Sequence, residues 1–149
     1  RARSHGLPPF LSDEVGVDSG LMIGHYTAAA MASENKRLAA PASVDSLPTS
    51  AMQEDHVSMA WLAARKLRRV VDNVRRILAV EYVCAARAIE FRTPDRPGVA
   101  TATALGVRRE VVPGVGPDRY RAPELAAATE LLSDGAPDEA LRRAGVSLS

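Results

Sequence analysis

Between residues 41 and 59 the chain reads Pro-Ala-Ser-Val-Asp-Ser-Leu-Pro-Thr-Ser-Ala-Met-Gln-Glu-Asp-His-Val-Ser-Met, a run dense in hydroxyls and carboxylates. Asp45, Ser50, His56 and Ser58 bring the residue types of a hydrolytic triad close together in sequence. None of these serines lies in the Gly-x-Ser-x-Gly turn that exposes a nucleophile on an α/β-hydrolase sheet. A triad is defined by geometry, which adjacency does not supply, so the hydrolase reading is set aside. The three histidines and Cys84 lack the spacing of metal ligands, and no metal site is expected. What remains is a polar segment between two apolar ones. Polar groups buried there must be hydrogen-bonded or functional, and loops held on rigid helices are a usual place for sites. The residues alone leave two readings open: a functional loop, or a capped helix start with an Asx- or Ser-stabilised turn.

Other candidates resolve into structure. Arg65, Lys66, Arg68, Arg69, Arg75 and Arg76 form a basic stretch. A nucleic-acid surface would gather such residues on one face with aromatics between them. Here they flank an apolar stripe on both sides, and Asp72 stands four residues from both Arg68 and Arg76, so solvated or inter-chain ion pairs are expected. Nineteen basic against eighteen acidic residues leave a net charge of +1, with no field to attract nucleic acid or an anionic membrane. Cys84 is the single cysteine, which excludes a disulfide framework and fits a small buried hydrophobe. His25 reads as a core or interface histidine. The longest apolar-leaning run, residues 21–32, contains His25, Tyr26 and Thr27 and falls short of the ~20 residues of a membrane span. With no leader visible, a cytoplasmic setting is expected.

The elements that position these groups are helical. A first helix is expected over residues 20–39, capped by Asp18 or Ser19. Gly20, Gly24, Ala28 and Ala32 put small side chains on one stripe, which invites close approach of a second helix. Its other faces are also apolar, so cover from partner chains is expected. A second helix is expected over residues 50–91. Ser50-Ala51-Met52-Gln53 fits a capping box, with Glu54 and Asp55 in the first turn. Ala60, Ala64, Leu67, Val71, Val74, Leu78, Tyr82, Ala85 and Ile89 follow as its apolar stripe. Such a rod, about 60 Å at 1.5 Å per residue, overhangs any compact fold of 149 residues. Beyond Thr93 a looser tail holds short helices over 122–133 and 137–144, and 107–112 reads as a strand or an extended segment. The division expected is a helical core segment over 1–92, with the polar loop at 41–59, and a tail over 93–149. The fold class is all-α: long, near-parallel helices of an oligomeric bundle core.

Several pieces resemble the C-terminal part of the histidine-specific members of the aromatic amino-acid ammonia-lyase family. They are Gly6-Leu7-Pro8-Pro9-Phe10-Leu11, Ser19-Gly20-Leu21-Met22-Ile23, Tyr26-Thr27-Ala28-Ala29-Ala30, Ser33-Glu34-Asn35-Lys36, Pro41-Ala42-Ser43-Val44-Asp45-Ser46 and Gln53-Glu54-Asp55-His56-Val57-Ser58-Met59. Asp118-Arg119-Tyr120 and Ala122-Pro123-Glu124 echo the family's tail. The chain departs from the family at Asp18, where Asn is common, at Gly24-His25, where Ala-Gln is frequent, and at Ala60, where Gly is usual.

The resemblance implies non-oxidative elimination of ammonia from L-histidine to trans-urocanate by a homotetramer whose sites draw on more than one chain. It implies a methylidene-imidazolone (MIO) prosthetic group formed from Ala-Ser-Gly. That tripeptide is absent here, and Asp18-Ser19-Gly20 is the nearest string. The chain begins at Arg1 rather than Met, and the expectation is a part of a longer enzyme, inactive alone. Glu54 matches the family's active-site glutamate, where phenylalanine-selective relatives carry Gln, and its neighbour Gln53 is a further substrate-binding candidate. The alternatives are a phenylalanine or tyrosine ammonia-lyase or aminomutase, and a non-catalytic helical oligomerisation module.

Overall fold

The computed structural model describes residues 5–147. Among them the order is α1 (Met22–Leu38), α2 (Ala60–Glu90), α3 (Val99–Arg109), α4 (Ala122–Ser133) and α5 (Ala136–Arg143), with no β-strand. Short 3-10 turns at Pro9–Leu11 and Ala42–Val44 precede α1 and α2. The fold is all-α, and no helix among the described residues is long and apolar enough to cross a membrane.

Neither Asp18 nor Ser19 caps α1 with its own side chain; the N-cap position falls on Leu21. The free amides at this end are met from the far side of the chain instead. Asp118 Oδ2 accepts the Ser19 N–H at 2.6 Å, and Oδ1 accepts the Gly20 N–H at 2.9 Å. The Ser19 amide in particular holds the Asp118 carboxyl below its ordinary range. Gly20 therefore serves this turn rather than a helical stripe. Its φ is +59°, and a Cβ there would meet the Phe10 carbonyl oxygen at 2.5 Å. Gly24 is the member of the stripe that brings helices together: a Cβ on it would lie 3.6 Å from Val80 Cγ1 of α2.

The expected second helix loses its first ten residues. α2 spans 31 residues, about 46 Å at 1.5 Å per residue. The capping box fails because an N-cap needs extended φ/ψ, whereas Ser50, Ala51 and Met52 have φ of 53°, 55° and 72°. The helix begins after Ser58, whose hydroxyl accepts the Ala60 N–H at 3.3 Å. The face that α2 buries is also not the expected stripe. Asn73, Ala79, Val80, Val83, Ala86 and Arg87 are buried. Helical geometry places Leu67, Val71, Val74 and Leu78 on the opposite side, and all four are exposed.

The core sits where the C-terminal half of α2 meets α1, α4 and the turns around them. Leu21, Ala79, Val83, Val112 and Ala128 form it, with Leu11, Cys84, Leu125 and Leu132 packed against it. Cys84 is half-buried in this cluster, and burial pushes its thiol pKa up, as suits a small hydrophobe rather than a nucleophile. Residues 107–112 are neither the strand nor the extended segment that their sequence suggests. The structure continues α3 to Arg109 and buries Val112 completely. Thr101, Thr103, Gly106 and Val107 give α3 weak helix propensity, but tertiary contacts override it. Tyr82 of α2 donates its hydroxyl to the Ala104 carbonyl, and Arg108 pairs with Glu90 at 2.9 Å. Helices α4 and α5 lie within a residue of their expected places, each with Pro in its first turn and acids following, as the helix dipole favours.

Charged groups share this core. Arg87 Nε donates to the Leu11 carbonyl at 2.6 Å and Nη2 to the Gly116 carbonyl at 3.1 Å, joining the lead-in segment to the tail. Glu90 takes the Val115 N–H at 3.0 Å besides Arg108. Glu124 is gripped by Arg119 and, at 3.0 Å, by Arg121.

Candidate functional site

The loop between the Ala42–Val44 turn and α2 is closed at two levels. At its base the Ser46 hydroxyl accepts the Val57 N–H at 2.9 Å and donates to the Val57 carbonyl at 3.2 Å. Nearer its tip, Thr49 and Glu54 pair in both directions: the Thr49 N–H reaches the Glu54 carbonyl at 2.9 Å, and the Glu54 N–H reaches the Thr49 carbonyl at 3.2 Å. Inside that pair the Gln53 N–H donates to the Ser50 carbonyl at 3.2 Å, closing a tight turn over Ala51 and Met52. Glu54 is therefore fixed at both backbone groups while its side chain is exposed on this chain. Gln53, next to it, is likewise exposed.

Asp45, Ser50, His56 and Ser58 all lie exposed on this loop. Ser58 commits its hydroxyl to the start of α2, and Ser50 belongs to the left-handed turn. Ser46 and Thr49, which close the loop, were not singled out by the sequence. Their partners are backbone groups whose positions only the fold defines. Ala60 opens α2 with its methyl exposed, and His25 is exposed on α1 with its ring centroid 6.0 Å from that of Tyr26.

Below the loop, α1 and the first half of α2 are joined by a polar knot. Asn73, buried, donates to Glu34 Oε2 at 2.7 Å and to Asn35 Oδ1 at 2.9 Å. Arg69 Nε meets Glu34 Oε1 at 3.1 Å. Asn73 first, then Arg69, holds the Glu34 carboxyl below its ordinary range. Asp72 approaches Arg75 at 3.8 Å rather than Arg68 or Arg76, with both side chains largely exposed. Within the basic stretch Arg65, Arg68 and Arg76 are exposed, while Arg69 pairs with Glu34 and Lys66 donates to the Ala40 carbonyl.

Apolar groups are bare at both ends of the α1–α2 pair. Trp61 is 76% exposed, Leu67 64%, Ile23 65% and Tyr26 63%. The residues present do not fit an MIO group. Asp18-Ser19-Gly20 forms the turn before α1, with the Ser19 and Gly20 amides donated to Asp118.

The family model for aromatic amino acid lyases matches residues 1–110. The chain is 61% identical over 134 residues to the histidine ammonia-lyase of Streptomyces avermitilis, covering 89% of this chain and 26% of that protein. Among solved structures, histidine ammonia-lyase from Trypanosoma cruzi matches with a TM-score of 0.86 at 42% identity, over 92% of this chain and 27% of that one. Tyrosine aminomutase from Streptomyces globisporus matches with a TM-score of 0.88 at 35% identity, over 97% and 28%. The chain spans about a quarter of the length of these relatives.

Proposed function

Since the chain belongs to the aromatic amino acid lyase family, we propose that it is the C-terminal part of a histidine ammonia-lyase, a carbon–nitrogen lyase that eliminates ammonia from L-histidine to give trans-urocanate. Its part in that reaction is to present Glu54. A carboxylate accepts an imidazole N–H or pairs with imidazolium, and has nothing to gain from a phenyl ring. Gln53 stands beside it as a second group for the substrate. The observation that carries the reading is the pairing of Glu54 with Thr49, which fixes the backbone and leaves the carboxylate free for a ligand. The electrophile of the reaction, an MIO group, belongs to residues of the longer protein outside this chain. The 149-residue chain alone is then inactive.

The bare apolar face of α2 and the exposed Ile23 and Tyr26 of α1 support assembly with further copies, a homotetramer in this reading. The unpaired Cys84 suits a reducing, cytoplasmic setting. A tyrosine-directed lyase or aminomutase is the second reading, favoured by a fold likeness to tyrosine aminomutase as close as that to the histidine enzyme.

Substitution Glu54→Gln in the longer protein tests the first reading. Loss of a charge-assisted hydrogen bond is expected to lower kcat/KM for histidine by about tenfold to a hundredfold, followed as urocanate absorbance. An unchanged rate removes Glu54 from the site. Faster turnover of tyrosine than of histidine by the unaltered protein moves the assignment to the second reading.

A further inference from the structure

We propose that Ser46 and the turn at Ala51-Met52 are a positioning device for Glu54, an inference that rests on reading Glu54 as the substrate-binding carboxylate. The turn is chemically unusual. The Gln53 N–H closes onto the Ser50 carbonyl at 3.2 Å, and both central residues, Ala51 and Met52, have positive φ, 55° and 72°. Turns of this mirror-image kind are normally given to Asn-Gly, because L side chains are strained in the left-handed region. Ser50, at φ 53°, extends the strain to three residues in a row. Within this chain burial does not offset it: Met52 is 75% exposed, and Ser50 and Ala51 are exposed too.

A segment that merely joined the Ala42–Val44 turn to α2 would relax out of that conformation. What holds it is the pair of closures outside the turn. Thr49 and Glu54 pair through both backbone groups, and the Ser46 hydroxyl grips the N–H and carbonyl of Val57 together. Ser46 is the one side chain in this arrangement, so it is the part a substitution can remove. Glu54 is the residue that the strained turn delivers, immediately after Gln53, forming one end of the inner closure and lying inside the outer one. Strain maintained by surrounding bonds is the pattern of pre-organised functional loops. Ser46 is accordingly a positioning residue: it touches no substrate and acts through the direction in which Glu54 points.

The test is a double-mutant cycle in the longer protein that carries this chain. Ser46→Ala is expected to lower kcat/KM for histidine about tenfold, with the protein still folded and its melting temperature only slightly lowered by the loss of the two Ser46–Val57 hydrogen bonds. Ser46→Thr keeps the hydroxyl and is expected to restore the rate. In a Glu54→Gln background, Ser46→Ala should add no further loss, because its effect runs through the carboxylate already removed. A second pair of variants addresses the turn. Ala51→Asn with Met52→Gly suits the positive φ and is expected to keep full kcat/KM, whereas Ala51→Val, β-branched, is expected to lower it. Full activity of Ser46→Ala, or the same proportional loss with and without Glu54, overturns the proposal. Full activity of Glu54→Gln is a different result, and strikes the reading of Glu54 itself.

Discussion

The two faces of α2 are built to opposite plans. The inner face carries small and polar residues, Asn73, Ala79, Val80, Val83, Ala86 and Arg87, and the chain covers it with α1, α4 and the turns beside them. The outer face carries leucines beside its valines, Leu67, Val71, Val74 and Leu78, and the chain leaves all four exposed. A soluble single domain would place these the other way round. The inner face works because most of its polar atoms are partnered: Asn73 by Glu34 and Asn35, and Arg87 Nε and Nη2 by two carbonyls, while Arg87 Nη1 is buried without a partner among the described residues. The lesson is that apolar periodicity locates a face that will be covered without saying by what. Here the strongest stripe is the one turned away from the chain's own core.

The sharpest way to break that contrast is to truncate both faces. Arg87→Met keeps the stem but strips the Leu11 and Gly116 carbonyls of their donors, and is expected to destabilise the monomeric chain by about 3 kcal/mol in urea unfolding. Leu67→Ala, at concentrations where the chain is monomeric, should cost less than about 0.5 kcal/mol, as for an exposed position. A cost of about 2–5 kcal/mol at Leu67, as for a core leucine, would mean that the chain covers its outer face after all.

A second contrast lies within α1. Gly20→Ala forces a Cβ against the Phe10 carbonyl oxygen at positive φ, and a loss of more than about 1 kcal/mol is expected. Gly24→Ala meets only ordinary contact with Val80 Cγ1. There the better helix propensity of alanine should give a gain of about 0.5 kcal/mol. Equal signs for the two, read from thermal melts, would undo the separation of turn glycine from helix-contact glycine.

Much of this was legible in the residues, and the failures share one cause. Helix α4 is legible because Ala122-Pro123-Glu124 announces it locally. The start of α2 is not, because Ser50-x-x-Gln53 satisfies a capping pattern whose backbone angles the loop closures forbid. Helix α3 is hidden because its stability comes from Tyr82, Glu90 and α5 rather than from its own propensities. Glu54 and Gln53 stand in the run of family motifs, but nothing local marks Ser46 among the five serines and threonines of residues 41–59, because its partner Val57 is a backbone position that only the fold places opposite it. The carbonyls that hold Arg87 lie 76 and 29 positions away, beyond any local rule.

The smallest effect expected concerns the clasp between the tail and α1. The Asp118 carboxyl is held below its ordinary range, chiefly by the Ser19 amide, with the Gly20 amide and the Arg121 charge acting in the same direction. Asp18 faces it too, and accepts the Asp118 N–H at 3.2 Å. A carboxyl with a lowered folded pKa adds stability above its unfolded value, about 3.9 for Asp. That stability is lost as pH falls through the lower folded value. The original chain should therefore lose stability faster than Asp118→Asn as pH drops below about 4. Glu34, Glu124 and Glu139 are lowered as well, so both proteins weaken in acid, and the difference between their urea midpoints is the informative quantity. That difference should be constant at neutral pH and shrink towards zero in acid. A difference that stays constant down to pH 2 would show that the clasp does not depend on the charge of Asp118, and that its protonated carboxyl serves the amides that open α1 as well as the carboxylate does.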